Sequence, residues 1–237
     1  MDDKHFPSPP GRSQGSPQAS YRPIRTDHDE LGEMTSRCRA CDLYKHATQA
    51  VLGEGPAPAK MMIIGEQPDE YEDLLGRPFA GPAGALLDAA LEEAQIPRHQ
   101  VYVTNAVKHF KWEPSGERRL PAKPNQAEVH ACRGWLDAEI FLVEPEVIVC
   151  LGATAAQIFL GPEFHLSESH GELMEGAPWA THMIATYHPS AILRMSDHTA
   201  DYARIRRAFT LDLAEAASVV SFRVARARRL SVRPAPI

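Results

Sequence analysis

The apolar run Met61-Met62-Ile63-Ile64 breaks abruptly at Gly65 into Glu66-Gln67-Pro68-Asp69-Glu70-Tyr71-Glu72-Asp73, and this break constrains the fold more than any other stretch of the chain. Such a run ending at a glycine reads as a buried strand. The acidic and amide side chains beyond it have no apolar face to hide, so the loop carries chemistry. Pro82 suits the first turn of a helix, because the N–H it lacks would be unpaired there, and Leu86, Leu87, Ala90, Leu91 and Ala94 follow at the spacing of one helical face. The stretch reads as strand, long polar loop, helix.

The same alternation continues. Strand patterns lie at 61–64, 101–104, 147–151 and 183–186, with helical patterns at 83–95, 124–142 and 153–160 between them. A last helix is predicted over 199–220, with Tyr202, Ile205, Phe209 and Leu213 on one face. Strands alternating with helices predict a parallel sheet covered on both sides.

With 237 residues and 43% hydrophobic composition, the chain can bury one sizeable core. Residues 1–30 are rich in Pro, Ser, Gly and Gln and read as a disordered tail. The folded domain is expected over 31–220 and a basic tail over 221–237. No apolar run approaches the roughly 20 residues of a membrane helix. Met1-Asp2-Asp3-Lys4-His5 lacks the basic start and apolar stretch of a signal peptide, so the expectation is a soluble, cytoplasmic monomer. A net charge of −6 argues against a protein that coats nucleic acid, though not against a local basic groove. Eight of the 25 Lys and Arg lie after Tyr202, the pattern of a solvated helix face and tail.

Ligands of such sheets bind beyond the carboxyl ends of the strands. Glu66 and Gln67 follow the first strand, Asn105 the second, and His188 with Ser190 the fourth, so all can meet on one rim. The third strand runs into Leu151-Gly152-Ala153-Thr154, whose small residues suit close helix packing and add little polar chemistry. The set contains no Ser-His-Asp triad and no P-loop. An Asn amide reads a planar base edge, a His N–H stabilises an oxygen gaining negative charge, and Phe79 can stack on a ring. Cys38-Arg39-Ala40-Cys41 precedes every strand, which favours a metal or cluster site over a redox pair opening a helix. Cys132 lies in a helical pattern, and Cys150, inside an apolar strand, reads as a small buried residue.

Gly65-Glu66-Gln67-Pro68, Gly76-Arg77-Pro78-Phe79-Ala80-Gly81-Pro82-Ala83-Gly84, Thr104-Asn105-Ala106-Val107-Lys108-His109-Phe110-Lys111, Leu151-Gly152-Ala153-Thr154-Ala155-Ala156 and His188-Pro189-Ser190 together resemble the family 4 uracil-DNA glycosylases. Gln67 and the Lys108-His109-Phe110 stretch resemble the UdgX branch of that family. The match runs in consistent order over about 38–194. It implies a three-layer α/β/α sandwich around a central four-stranded parallel sheet, a 4Fe-4S cluster, and a pocket for a uracil flipped out of DNA. Cys38, Cys41, His109 and Cys132 are the implied cluster ligands, His109 standing where the family generally has a Cys. A zinc ion accepts the same donor set.

The resemblance assigns Glu66 to the sugar carbon, His188 to the departing uracil oxygen, and Gln67, Phe79, Asn105 and Ser190 to the base. It places Arg118, Arg119 and Arg194 on DNA, with Ile192 or Leu193 as an apolar wedge; a core-facing helix accounts for either wedge residue equally well. Two departures stand out. UdgX-type proteins carry an Arg-Arg-Ile-His loop whose His becomes bonded to the sugar, and Pro121 stands at that His position here. Its amide nitrogen has no lone pair to attack carbon, so turnover with water is expected instead of covalent capture, unless Lys123 or His130 substitutes. Asp69 replaces the usual Gly after Pro68, which puts the loop conformation in question if a positive φ is needed. The implied activity is hydrolytic removal of uracil from DNA, leaving an abasic site. The alternatives are a UdgX-like protein that stays attached to DNA and a non-catalytic sensor.

Overall fold

The computed structural model describes residues 27–175, 179–195 and 200–222, so most of both expected tails lies outside the described residues. In chain order the elements are α1 (His28–Ser36), a 3-10 turn (Asp42–Lys45), β1 (Met61–Gly65), α2 (Glu70–Leu75), α3 (Pro82–Glu93) and β2 (Val101–Asn105). There follow β3 (Trp112–Ser115), β4 (Arg118–Pro121), α4 (Gln126–Val143), β5 (Val147–Leu151) and α5 (Ala153–Leu160). The chain continues through α6 (Leu166–Ser169), β6 (Leu173–Glu175), β7 (His182–Thr186), α7 (Pro189–Leu193) and α8 (Ala200–Ser218).

The central sheet has the strand order β2-β1-β5-β7-β6. The four predicted strands pair in parallel, with Met61 opposite both Val101 and Val147, and Val147 opposite His182. The sheet is larger than the expected four strands, because Leu173–Glu175 adds an antiparallel edge to β7. Three residues are too few to show a period, which is why the pattern hid this strand.

All of β1, β2 and β5 is buried, and the two-residue alternation of strands sorts their side chains to opposite faces. Met61, Ile63, Val101, Val103, Val147, Val149 and Ile184 pack with Leu87 and Leu91 of α3, Ile192 of α7, and Phe209 and Leu213 of α8. Met62, Ile64, Tyr102, Ile148, Cys150 and Met183 pack with Leu136 and Ile140 of α4 and Ala155 and Ala156 of α5. The result is the three-layer α/β/α sandwich. Burying each of the larger side chains contributes about 1.5–3 kcal/mol.

Two stretches expected to be irregular are ordered. The polar loop after β1 contains α2, whose first turn is capped by Asp69, its side chain accepting from Glu72 N at 2.9 Å. Asp69 sits at φ −90° in extended backbone, so no glycine is needed there and the doubt about this position is removed. The 112–121 segment forms an antiparallel hairpin of β3 and β4. Among the described residues no helix is long and apolar enough to cross a membrane.

Candidate active site

Parallel strands end together, so Gly65, Asn105, Leu151 and Thr186 bring their following residues to one rim. β1 lies between β2 and β5, and the chain leaves it first to one side and later to the other. Such a reversal opens a crevice at the strand ends. Three predicted groups converge there. A Cβ built on Gly65 would lie 2.3 Å from Asn105 Oδ1, 2.9 Å from Phe79 Cζ and 3.4 Å from His188 Nε2. Glycine at 65 is therefore required by close approach, not by its torsion angles.

His188 is oriented by its own helix. Ser190 N donates to His188 Nδ1 at 3.2 Å, and Ser190 Oγ lies 2.8 Å from the same nitrogen. A backbone N–H can only donate, so Nδ1 is the acceptor nitrogen and the proton of the neutral ring sits on Nε2. Burial first, and the Arg194 charge second, hold the imidazole down to a pKa of about 4, so it is neutral at physiological pH. Ser190, expected to touch substrate, here holds the histidine. Gly152, at φ 88°, lets β5 approach His188 Cβ, to 3.3 Å from where its own Cβ would be.

Asn105 is fixed by a residue that the sequence did not single out. Its Nδ2 donates to Glu72 Oε2 at 2.7 Å, and Glu72 is buried on α2. Burial first and the neighbouring Asp69 second push the Glu72 carboxyl up to about 8, against the hydrogen bonds from Asn105 and from the Phe79 backbone. Phe79 itself adopts φ 55°, in the left-handed region, and its ring lies 6.4 Å and 28° from that of His188. That backbone turn brings the Phe79 carbonyl to 1.7 Å from where a Gly84 Cβ would stand, so Gly84 cannot carry a side chain.

A cavity of about 380 Å³ opens beside these groups, lined by Glu66, Gln67, Asp69, Glu72, Pro121, Lys123, Tyr187, His188, Ser190 and Arg194, among others. Phe79 and Asn105 are not among its lining residues, but each neighbours one that is, Asn105 bonding to Glu72 and the Phe79 ring stacking on that of His188. Pro121 and Lys123 reach the cavity from the hairpin side. A neighbouring hollow of about 430 Å³ shares Lys123 and Thr154 and includes His130.

Other predicted residues serve the framework. Gln67 Nε2 donates to the carbonyls of Ala122 at 2.9 Å and Lys111 at 3.3 Å, and its Oε1 accepts from Lys111 N at 2.9 Å, tying the β1 loop to the hairpin. Arg119 is committed to Asp73 at 2.6 Å and Glu70 at 3.1 Å, and its guanidinium lies over Phe110 and Trp112, whereas Arg118 is exposed. Of the two wedge candidates, Ile192 is at 0% exposure in the core and is corrected to a packing residue. Leu193 is 43% exposed. It precedes Arg194, which lines the cavity.

The three predicted thiols are electrostatic neighbours of one another. Cys41 and Cys132 pack around Leu43 and Val107 with Trp135. Each sulfur receives an N–H: Cys38 from Trp135 Nε1 at 3.1 Å, Cys132 from Lys108 N at 3.4 Å, and Cys41 from the Leu43 backbone. Burial raises the thiol pKa of Cys132 to about 11 and also that of Cys41, with the neighbouring thiols adding to both. His109 is buried, and its Nδ1 has no hydrogen-bond partner. Thiols receiving N–H donors and an orphaned imidazole nitrogen fit coordination by an electron-poor group better than a purely apolar core. Among the described residues no three His, Cys, Asp or Glu side chains form a group for a metal ion. Cys150 is fully buried in β5, away from this role.

Comparison with known proteins agrees with this arrangement. Residues 52–210 match the model of the uracil DNA glycosylase superfamily. The chain is 35% identical over 193 residues to a type-4 uracil-DNA glycosylase of Thermotoga maritima, covering 80% of this chain and 93% of that one. It is 37% identical over 171 residues to the type-4 uracil-DNA glycosylase of Archaeoglobus fulgidus, covering 70% and 82%. A type-5 uracil-DNA glycosylase of Thermus thermophilus is 31% identical over 179 residues, covering 67% and 77%. With its strand ends gathering Asn105 and His188 around Gly65, and with the family match spanning every strand of the central sheet, this chain belongs to the uracil DNA glycosylase superfamily.

Proposed function

We propose that this protein is a uracil-DNA glycosylase of base excision repair: it flips uracil out of DNA and hydrolyses the N-glycosidic bond, releasing uracil and leaving an abasic site. The observation that carries the reading is the meeting of Asn105 Oδ1 and His188 Nε2 within reach of one point at Gly65. The glycosidic bond is shielded inside a duplex, so the base must leave the stack first. As the C–N bond breaks, its electron pair passes to the base and negative charge gathers on the uracil oxygen. A neutral His188 with its proton on Nε2 donates to that oxygen without losing the proton. The sugar carbon becomes electron-poor, and the Glu66 carboxylate on the cavity wall stabilises it and orients the water whose oxygen bonds to that carbon. The water keeps one hydrogen as the new sugar hydroxyl and gives its other proton to solvent, and the departing uracil anion takes a proton from solvent, so the products are neutral uracil and an abasic sugar.

Arg118 and Arg194 meet phosphates, and Leu193 is the wedge that fills the vacated stack. Cys38, Cys41, His109 and Cys132 would hold a 4Fe-4S cluster, favoured over zinc by the resemblance of the motifs to the family 4 enzymes. Held by these residues, the group would tie the chain after α1 to the end of β2 and to α4. The domain spans residues 31–220 and acts as a cytoplasmic monomer. Pro121 on the cavity wall, in place of a nucleophilic side chain, supports turnover over covalent capture. Incubating a single-uracil oligonucleotide with the protein and then treating with alkali should cut the strand at the uracil, with no retarded protein–DNA band on a denaturing gel. An uncut strand with excess protein and its metal site filled would contradict the reading.

A further inference from the structure

Resting on that glycosylase reading, we propose that Glu72 is a positioning residue that makes the site read uracil and reject cytosine, by fixing which end of the Asn105 amide faces the base. The two ends of an Asn amide have nearly the same shape, so its hydrogen-bond partners decide its orientation. Glu72 is 3% exposed, and its Oε2 takes Asn105 Nδ2 at 2.7 Å. The Phe79 backbone N–H donates to the same carboxyl group. A backbone N–H has no second role, so the group must accept from two donors at once, which a carboxylate does with its two oxygens. α2 holds it there through the Asp69 cap on Glu72 N.

With Nδ2 taken by Glu72, Oδ1 is the amide end turned toward Gly65, Phe79 and His188 Nε2. Uracil carries a hydrogen on N3 and donates it to such an oxygen. Cytosine has a lone pair at N3, which that oxygen repels. The amide orientation therefore sets the identity of the base. Burial and Asp69 favour the protonated carboxyl, while the Asn105 and Phe79 donors favour the carboxylate. A base donating its N3–H to Oδ1 demands the same amide orientation and so draws Glu72 toward its ionised form.

The test uses the full-length protein on two oligonucleotides that differ by one uracil or one cytosine. Glu72→Gln preserves shape, but its oxygen goes to the Phe79 N–H and its amide faces Asn105, which then turns its own oxygen away from the base. The expected result is a loss of at least thirtyfold in kcat/KM on uracil, chiefly in kcat, with the uracil-to-cytosine ratio narrowed at least a hundredfold. A variant within threefold of wild type, or one that loses uracil activity with its discrimination intact, overturns the inference. A second measurement needs no variant: free uracil should inhibit the wild type at least tenfold better than N3-methyluracil, and equal inhibition overturns the inference. A wild type that cuts neither strand brings down the glycosylase reading and this inference together. One that cuts uracil as well as E72Q does overturns the inference alone.

Discussion

His188 and Glu72 titrate in opposite senses, and both follow from burial at the same rim. In an unfolded chain the imidazole has a pKa of about 6.5, whereas in the fold it is held near 4. Above 6.5 both states are neutral; below it the unfolded chain takes up a proton that the folded chain refuses, so stability is lost as pH falls toward 4. Glu72 is raised from 4.5 to about 8, so its contribution is full below 4.5 and is lost as pH rises through 8. Melting His188→Ala from pH 7 to 4.5 should show a smaller fall in Tm than wild type, and the same variant should lose about 10²–10³ in kcat. Gly65→Ala should fold yet lose nearly all uracil release, since its Cβ meets Asn105 Oδ1 at 2.3 Å. Asn105 and His188 were legible in the sequence because each follows a strand with nothing apolar to pack against. Glu72 was not, since it sits in an acidic run with Glu70 and Asp73, and only the helix that Asp69 caps shows that Glu72 and Asp73 turn inward, and that Glu72 is the one that meets Asn105.

The elements that sequence patterning found are those with long periodic faces: the four parallel strands and the helices α3, α4, α5 and α8. Short elements escaped it. α2 has six residues and the hairpin strands four each, and neither length gives a period to read. Their order comes from side-chain ties instead. Arg119 pairs with fully buried Asp73, which also accepts from Thr48 N and Oγ1, so the hairpin is latched to α2 and to the segment ahead of β1. Arg119→Ala leaves that carboxylate without its cation and should cost about 3 kcal/mol of stability. The same change should raise amide exchange across 112–121 while leaving that in β5 unchanged. Gln67→Ala removes the other tie and should loosen the hairpin without the buried-charge penalty, which denaturant melts of the two variants distinguish.

Across the whole molecule, the sandwich places two chemical groups around the end of β2, with Asn105 and Lys108 between them. Lys108 Nζ donates to the Asn105 carbonyl and pairs with buried Glu139, while its backbone N–H reaches Cys132 Sγ, so the base site and the thiol group share one turn of chain. Purified protein should contain about four irons per chain and absorb visible light. Cys132→Ala should lose that absorbance and melt several degrees lower, because the chain after α1 is then no longer cross-linked to α4. The central claim is that this sheet edge encloses a pyrimidine between groups drawn from the ends of β1, β2 and β7 and from the Phe79 loop. A crystal structure of His188→Ala bound to DNA with a single uracil tests it most directly. The account predicts the uracil out of the stack, its N3 within hydrogen-bond distance of Asn105 Oδ1 and its ring against Phe79. A uracil left in the helix, or seated against the His130 hollow instead, would contradict it.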